Sequence, residues 1–190
     1  MEGERKIRLH GMSPQASRAW IWHPCRERGR KEGKGAEQMT LLHASISAAD
    51  PEHVATFLAT LMGGMALPFP PFPDSWIAFA AQDDGTAIEV YPTSHRLRIG
   101  PDTVACETGA PDDKPSFAHV AIRSAFDRQM IVDFGTAENW MTRICNRGPF
   151  ECVEIWLENR LLVEVLDPAM QRAYEQGMTV RNWRTMFGLE

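Results

Sequence analysis

Two histidines and two glutamates recur in this chain at matched spacing. His43 stands in "LLHASIS" (41–47) and His119 in "FAHVAIR" (117–123). Glu89, in "TAIEVYP", follows His43 by 46 residues, and Glu164, in "LLVEVLDP", follows His119 by 45. Imidazole and carboxylate together suit a divalent transition metal. A glutamate on a half-buried strand is costly unless it is paired, hydrogen-bonded or bound to a cation. The doubled spacing therefore reads as two halves of one metal site, His43 with Glu89 and His119 with Glu164.

The elements that must position these residues repeat as well. After His43 comes "AADPEHVATFLATLMGG", with Asp50 as N-cap, Pro51 at the first helical position, and Val54, Phe57, Leu58, Leu61 and Met62 on one helical face. After His119, Met130, Ile131 and Phe134 form a weaker stripe of the same kind. Each helix leads into a short extended piece, "MALPF" or "WMTRIC", and then a hairpin. The first hairpin carries Asp84-Gly85, which reads as a two-residue type I′ turn; the second turns near Glu158 to Arg160. Each half is thus β-α-β-β-β, at 41–92 and 117–167. The fold class is α+β, two βαβββ modules forming a curved mixed sheet with helices on its outer face.

Side chains alternate along a strand. That sets His43 with Leu41, Ser45 and Ser47, and His119 with Phe117, Ala121 and Arg123, both away from the helices. Glu89 shares a face with Ala87 and Tyr91. The two-residue turn would bring Trp76, Ala78 and Ala80 beside it. Glu154 falls on the face opposite Glu164 under an even turn. Arg123 is placed to meet a substrate carboxylate or phosphate, or is an ordinary surface arginine. His53 and His95 read as surface residues, and Cys152 as a buried thiol rather than a nucleophile.

Charge is divided unevenly. Nine of the 20 basic and five of the 25 acidic residues lie in 1–38, which leaves eleven basic against twenty acidic in 39–190. An acidic body excludes nucleic acid as the expected partner. Residues 1–38 read as a basic, disordered extension, with Met39 a candidate natural start. The remaining boundaries are a first module at 39–92, a linker at 93–116, a second module at 117–167 and a helical tail at 168–190, whose last part, "VRNWRTMFGLE", is expected to pack across the sheet. No apolar stretch approaches a membrane span. Four cysteines without a CxxC pair, and no secretory signal, suggest reduced thiols in a cytoplasmic protein.

With these motifs in view, residues 40–167 resemble the vicinal oxygen chelate superfamily, which includes glyoxalase I, bleomycin-resistance proteins, extradiol dioxygenases and fosfomycin-resistance thiol transferases. The likeness rests on the paired modules, a histidine in the first strand of each, "EVYP" and "VEVLDP". The His43, Glu89, His119, Glu164 set is similar to that of bacterial glyoxalase I. The resemblance implies a divalent ion (Zn, Ni, Fe, Mn or Co) on the concave face. It also implies Glu164 as the catalytic base for an isomerase, lyase or epimerase acting through an enediolate-like intermediate on a small vicinal dioxygen substrate. Arg123, Tyr91 and Trp76 are the expected substrate contacts. Two other functions compete. One is a metal-free protein that sequesters a small molecule on the face holding Trp76, Tyr91, Phe117 and Leu166, as bleomycin-resistance proteins do. The other is an iron-dependent dioxygenase. A homodimer is the expected assembly.

Overall fold

The structure, a computed structural model, describes residues 41–189 apart from 83, 101–103, 113 and 116. The expected extension at 1–38 lies outside the described residues. The first module runs β1 (His43–Ala48), α1 (Pro51–Leu61), β2 (Met65–Pro68), β3 (Trp76–Phe79) and β4 (Ala87–Pro92). The second runs β7 (Val120–Arg123), α2 (Arg128–Ala137), β8 (Thr142–Asn146), β9 (Glu151–Leu157) and β10 (Leu161–Leu166). Between them lie β5 (His95–Ile99) and β6 (Val104–Thr108). The chain ends in α3 (Pro168–Gly177) and α4 (Val180–Phe187). Each module folds its own four-stranded mixed sheet, in the orders β1-β4-β3-β2 and β7-β10-β9-β8, with the first strand of each parallel to the last. The paired βαβββ architecture and α+β class expected from the sequence are therefore present.

The helices form where caps and apolar spacing require them. The Asp50 carboxylate accepts the His53 N–H at 3.1 Å, and Val54, Leu58 and Leu61 turn inward, essentially inaccessible to water. Burial of each such side chain contributes roughly 1.5–3 kcal/mol. After α1 the backbone passes so close to β3 that a Cβ on Gly64 would stand 1.9 Å from the Phe79 carbonyl oxygen. Only glycine fits that return. In α2, Asp127 caps Met130 N–H, and Ile131 and Gly135 face the sheet.

The registers differ from expectation at both hairpins. In the first, Ile77 pairs with Glu89 and Trp76 with Val90. Asp84-Gly85 is not a two-residue turn. It sits at the end of a longer connection, 80–86, in which Asp84 Oδ1 accepts the Thr86 N–H and the Ala80 N–H reaches the Thr86 carbonyl. The odd loop turns Trp76 to the helix side, where it packs on the core. In the second, Glu158 and Asn159 both adopt positive φ and three residues, 158–160, drop out of register. Even positions then face even ones, and Glu154 stands directly opposite Glu164.

Two further expectations are corrected. The 93–116 linker holds an antiparallel ribbon, β5 with β6, built on the alternation "HRLRI". The segment after α3 does not pack across the sheet: α4 has no buried residue, whereas α3 buries Met170.

The two modules are joined by specific contacts. The Glu158 carboxylate accepts the Ala49 and Asp50 N–H groups at 2.7 and 2.8 Å, and the Ser124 hydroxyl donates to the Leu61 carbonyl at 2.8 Å. Arg160 Nη2 donates to the Ser47 carbonyl. The Trp140 ring meets the edge of Phe57 at 4.8 Å between centroids.

Candidate functional site

A cleft of about 410 Å³ opens where the modules meet, within the size range of small-molecule sites. It runs along β1, the outer strand of the first sheet. Ser45 and Ser47 line one side with Tyr91 from β4. The ribbon supplies His95, Arg96, Leu97 and Cys106. The second module supplies His119, just before β7, and Arg160 with Leu161 at the start of β10.

Glu89 lies directly behind this wall. Its Oε2 accepts both the Ser45 hydroxyl and the Tyr91 phenol, each at 2.7 Å. The Tyr91 phenol is pushed well above its ordinary value, first by burial and then by its bond to the Glu89 carboxylate, so it stays protonated and donating. Across the cleft, His119 Nδ1 lies 2.9 Å from the Phe117 carbonyl. A carbonyl can only accept, so Nδ1 carries the hydrogen and donates it.

The other glutamate sits in a different setting. Glu154 and Glu164 are cross-strand neighbours whose carboxylates are 3% and 10% exposed, and like charges so placed repel. Arg147 lies between them: its Nη2 is 2.5 Å from Glu154 Oε1 and 2.7 Å from Glu164 Oε1, and its Nε is 2.9 Å from the same Glu164 oxygen. Arg143 Nε closes on Glu154 Oε2 at 2.6 Å. Burial alone would raise the Glu154 carboxyl, but the bonds from Arg143 and Arg147 outweigh it and hold it below its ordinary value. Cys145 and Cys152 face each other beside this group, and burial followed by the Glu164 charge pushes the Cys152 thiol up to about 12. Cys152 is thus the buried thiol expected.

The four residues expected to hold a metal are therefore dispersed. His43 is exposed at the start of β1, on the face of Glu89. Glu89 is engaged by Ser45 and Tyr91. His119 enters the cleft, and Glu164 is occupied by Arg147. Among the described residues, no three His, Cys, Asp or Glu side chains gather as a metal-holding group. As placed, these residues do not fit a single ion. Of the expected substrate contacts, Tyr91 lines the cleft. Trp76 has turned to the core, and Arg123 is taken up by Glu175 at 2.7 Å on the surface. His53 is surface-exposed and pairs with Glu138, as a surface residue should. His95 is not on the surface: it is half-buried in the cleft wall. Sequence reasoning also passed over Arg96 and Arg160. The alternation in "HRLRI" was the available signal for the ribbon; no local pattern marks Arg160, which sits in a turn.

No family model matches the sequence, and no curated protein does. Solved structures do match. A genomically encoded fosfomycin resistance protein from Listeria monocytogenes is 11% identical, with 71% of this chain and 98% of that one covered and a TM-score of 0.47. Lactoylglutathione lyase from Agrobacterium tumefaciens is 13% identical over 70% of this chain and 96% of that one, with a TM-score of 0.44. The trypanothione-dependent glyoxalase I of Leishmania major is 12% identical over 80% and 100%, with a TM-score of 0.45. All three are vicinal oxygen chelate proteins. At this level of likeness they carry no argument about activity. The fold class itself rests on the strand order and register: two βαβββ modules, as the resemblance to that superfamily implies.

Proposed function

We propose that this chain is a small-molecule-binding protein of the vicinal oxygen chelate type, whose ligand occupies the cleft between the two modules. One observation carries the reading: a concave site of about 410 Å³ in which Ser45 and Tyr91, fixed by Glu89, face His119 and Arg160. Polar groups converging on a partly apolar wall supply orientation and specificity. The Glu89 carboxylate holds the Ser45 and Tyr91 hydroxyl hydrogens, so their oxygens present lone pairs to a ligand donor.

The test is ligand-observed saturation-transfer NMR with a panel of small carboxylates, phosphates, amides and phenols, run on the native chain and on Ser45→Trp, whose indole fills the cleft. Compounds that bind the native chain are expected to lose their signal with the variant while its circular dichroism is unchanged. An absence of binders, or binders indifferent to Ser45→Trp, refutes the assignment.

A further inference from the structure

The charge lining the cleft runs against that of the rest of the chain. Residues 39–190 carry eleven basic and twenty acidic side chains. Yet the residues lining the cleft include Arg96 and Arg160 and no aspartate or glutamate. In β5 and the second module, Arg98, Arg123, Arg128, Arg143 and Arg147 each hold a carboxylate. Arg96 and Arg160 differ. Arg96 donates to the Thr93 and Ala110 carbonyls, and Arg160 to the Ser47 carbonyl and hydroxyl. Neither has a carboxylate within 4.0 Å among the described residues.

A second observation points the same way. Among the described residues, two buried side-chain nitrogen or oxygen atoms lack a hydrogen-bond partner, His95 Nδ1 and Arg160 Nε. Both belong to residues of this cleft. An unpaired buried polar group is costly and calls for a reason. Arg160 Nε can only donate, so it lacks an acceptor where it stands.

We infer that the ligand of this cleft is an anion, a small molecule bearing a carboxylate or phosphate group, placed between Arg160 and Arg96 with His95 and His119 alongside. The inference rests on the binding role proposed above. A guanidinium already anchored through a backbone carbonyl is preset for such a partner and loses little freedom on binding. Arg96 comes from the ribbon and Arg160 from the turn before β10, so the two would hold the charged group while Ser45 and Tyr91 read its uncharged part.

The test uses probes of nearly equal shape and different charge: benzoate, phenyl phosphate and neutral benzamide. Each is titrated into ¹⁵N-labelled full-length protein at constant ionic strength and followed by amide shifts. The anionic probes should bind about tenfold or more tightly than benzamide, with shifts centred on Ser45, Leu97 and Leu161. Their order relative to each other separates a carboxylate site from a phosphate site. Arg96→Gln and Arg160→Gln should each lower the ratio of benzoate to benzamide affinity and together bring it close to one; Arg160→Lys should retain part of the ratio. Benzamide binding as tightly as benzoate overturns the inference while the cleft stands as a site. Anion shifts outside the cleft, or a preference untouched by either arginine change, also overturn it. If none of the probes shifts cleft resonances, both the inference and the binding assignment fall.

Discussion

Arg147 is the residue whose loss the second module should tolerate least. Its guanidinium is the shared partner of two nearly inaccessible carboxylates facing each other across β9 and β10. Replacing it by methionine keeps the stem and removes the charge. Breaking a fully buried ion pair costs about 3–5 kcal/mol, because the abandoned charge stays desolvated. Here the cost is smaller, because Arg147 is itself 34% exposed and Arg143 remains on Glu154. The expected loss is about 2 kcal/mol at pH 7, or a fall in Tm of about 6 °C for a chain of this size. The pH dependence has a definite sign. The folded-state pKa of Glu154 lies below its ordinary 4.5, so its ion pairing contributes in full above 4.5 and is lost as pH falls through the lower folded value. The gap between native and Arg147→Met proteins should therefore close under acid, since a protonated Glu154 no longer needs the cation. Urea unfolding at pH 7 and at pH 3.5 measures both quantities, with Glu164→Gln added to complete a double-mutant cycle. A loss under about 0.5 kcal/mol at pH 7, or one equally large at both pH values, refutes the argument.

Two other outcomes are expected. Alanine for glycine inside a helix ordinarily gains about 1 kcal/mol, but at Gly135 the new Cβ would stand 2.3 Å from Thr142 Oγ1 and 3.2 Å from Ile155 Cγ2. Gly135→Ala should therefore lose about 1–3 kcal/mol by urea denaturation, with part recovered when Thr142→Ala is added. Among the thiols, Cys106 is exposed while Cys152 is buried and pushed up to about 12. Iodoacetamide at pH 8 should thus label Cys106 long before Cys152, as peptide mapping by mass spectrometry would show; equal rates would contradict the burial.

The parts of the fold legible in the sequence were those written in local patterns. Asp50-Pro51 with the apolar stripe of α1, and the doubled spacing from histidine to glutamate, identified both modules. The failures came where one residue in a loop changes everything downstream. Strand side chains alternate with a period of two, so one extra loop residue reverses the pairing. That turned Trp76 from Glu89 toward the core and brought Glu154 beside Glu164. The ribbon at 95–108 was missed although its alternation was present, because Pro, Gly, Asp and Lys around it read as a linker.

The candidate site divides along the same line. The sequence by itself determined the repeated β-α-β-β-β order, the caps, the buried faces and the presence of His119 and Tyr91 beside the modules' inner surfaces, since each depends on neighbours a few residues away. Only the tertiary structure decided which polar groups meet. It gave Glu164 to Arg147, seventeen residues back on the chain, and Glu89 to Ser45 and Tyr91. It also set His95, Arg96 and Arg160 around one cleft. A carboxylate takes the partner that the packing of whole sheets brings within 3 Å, and no spacing along the chain specifies that distance.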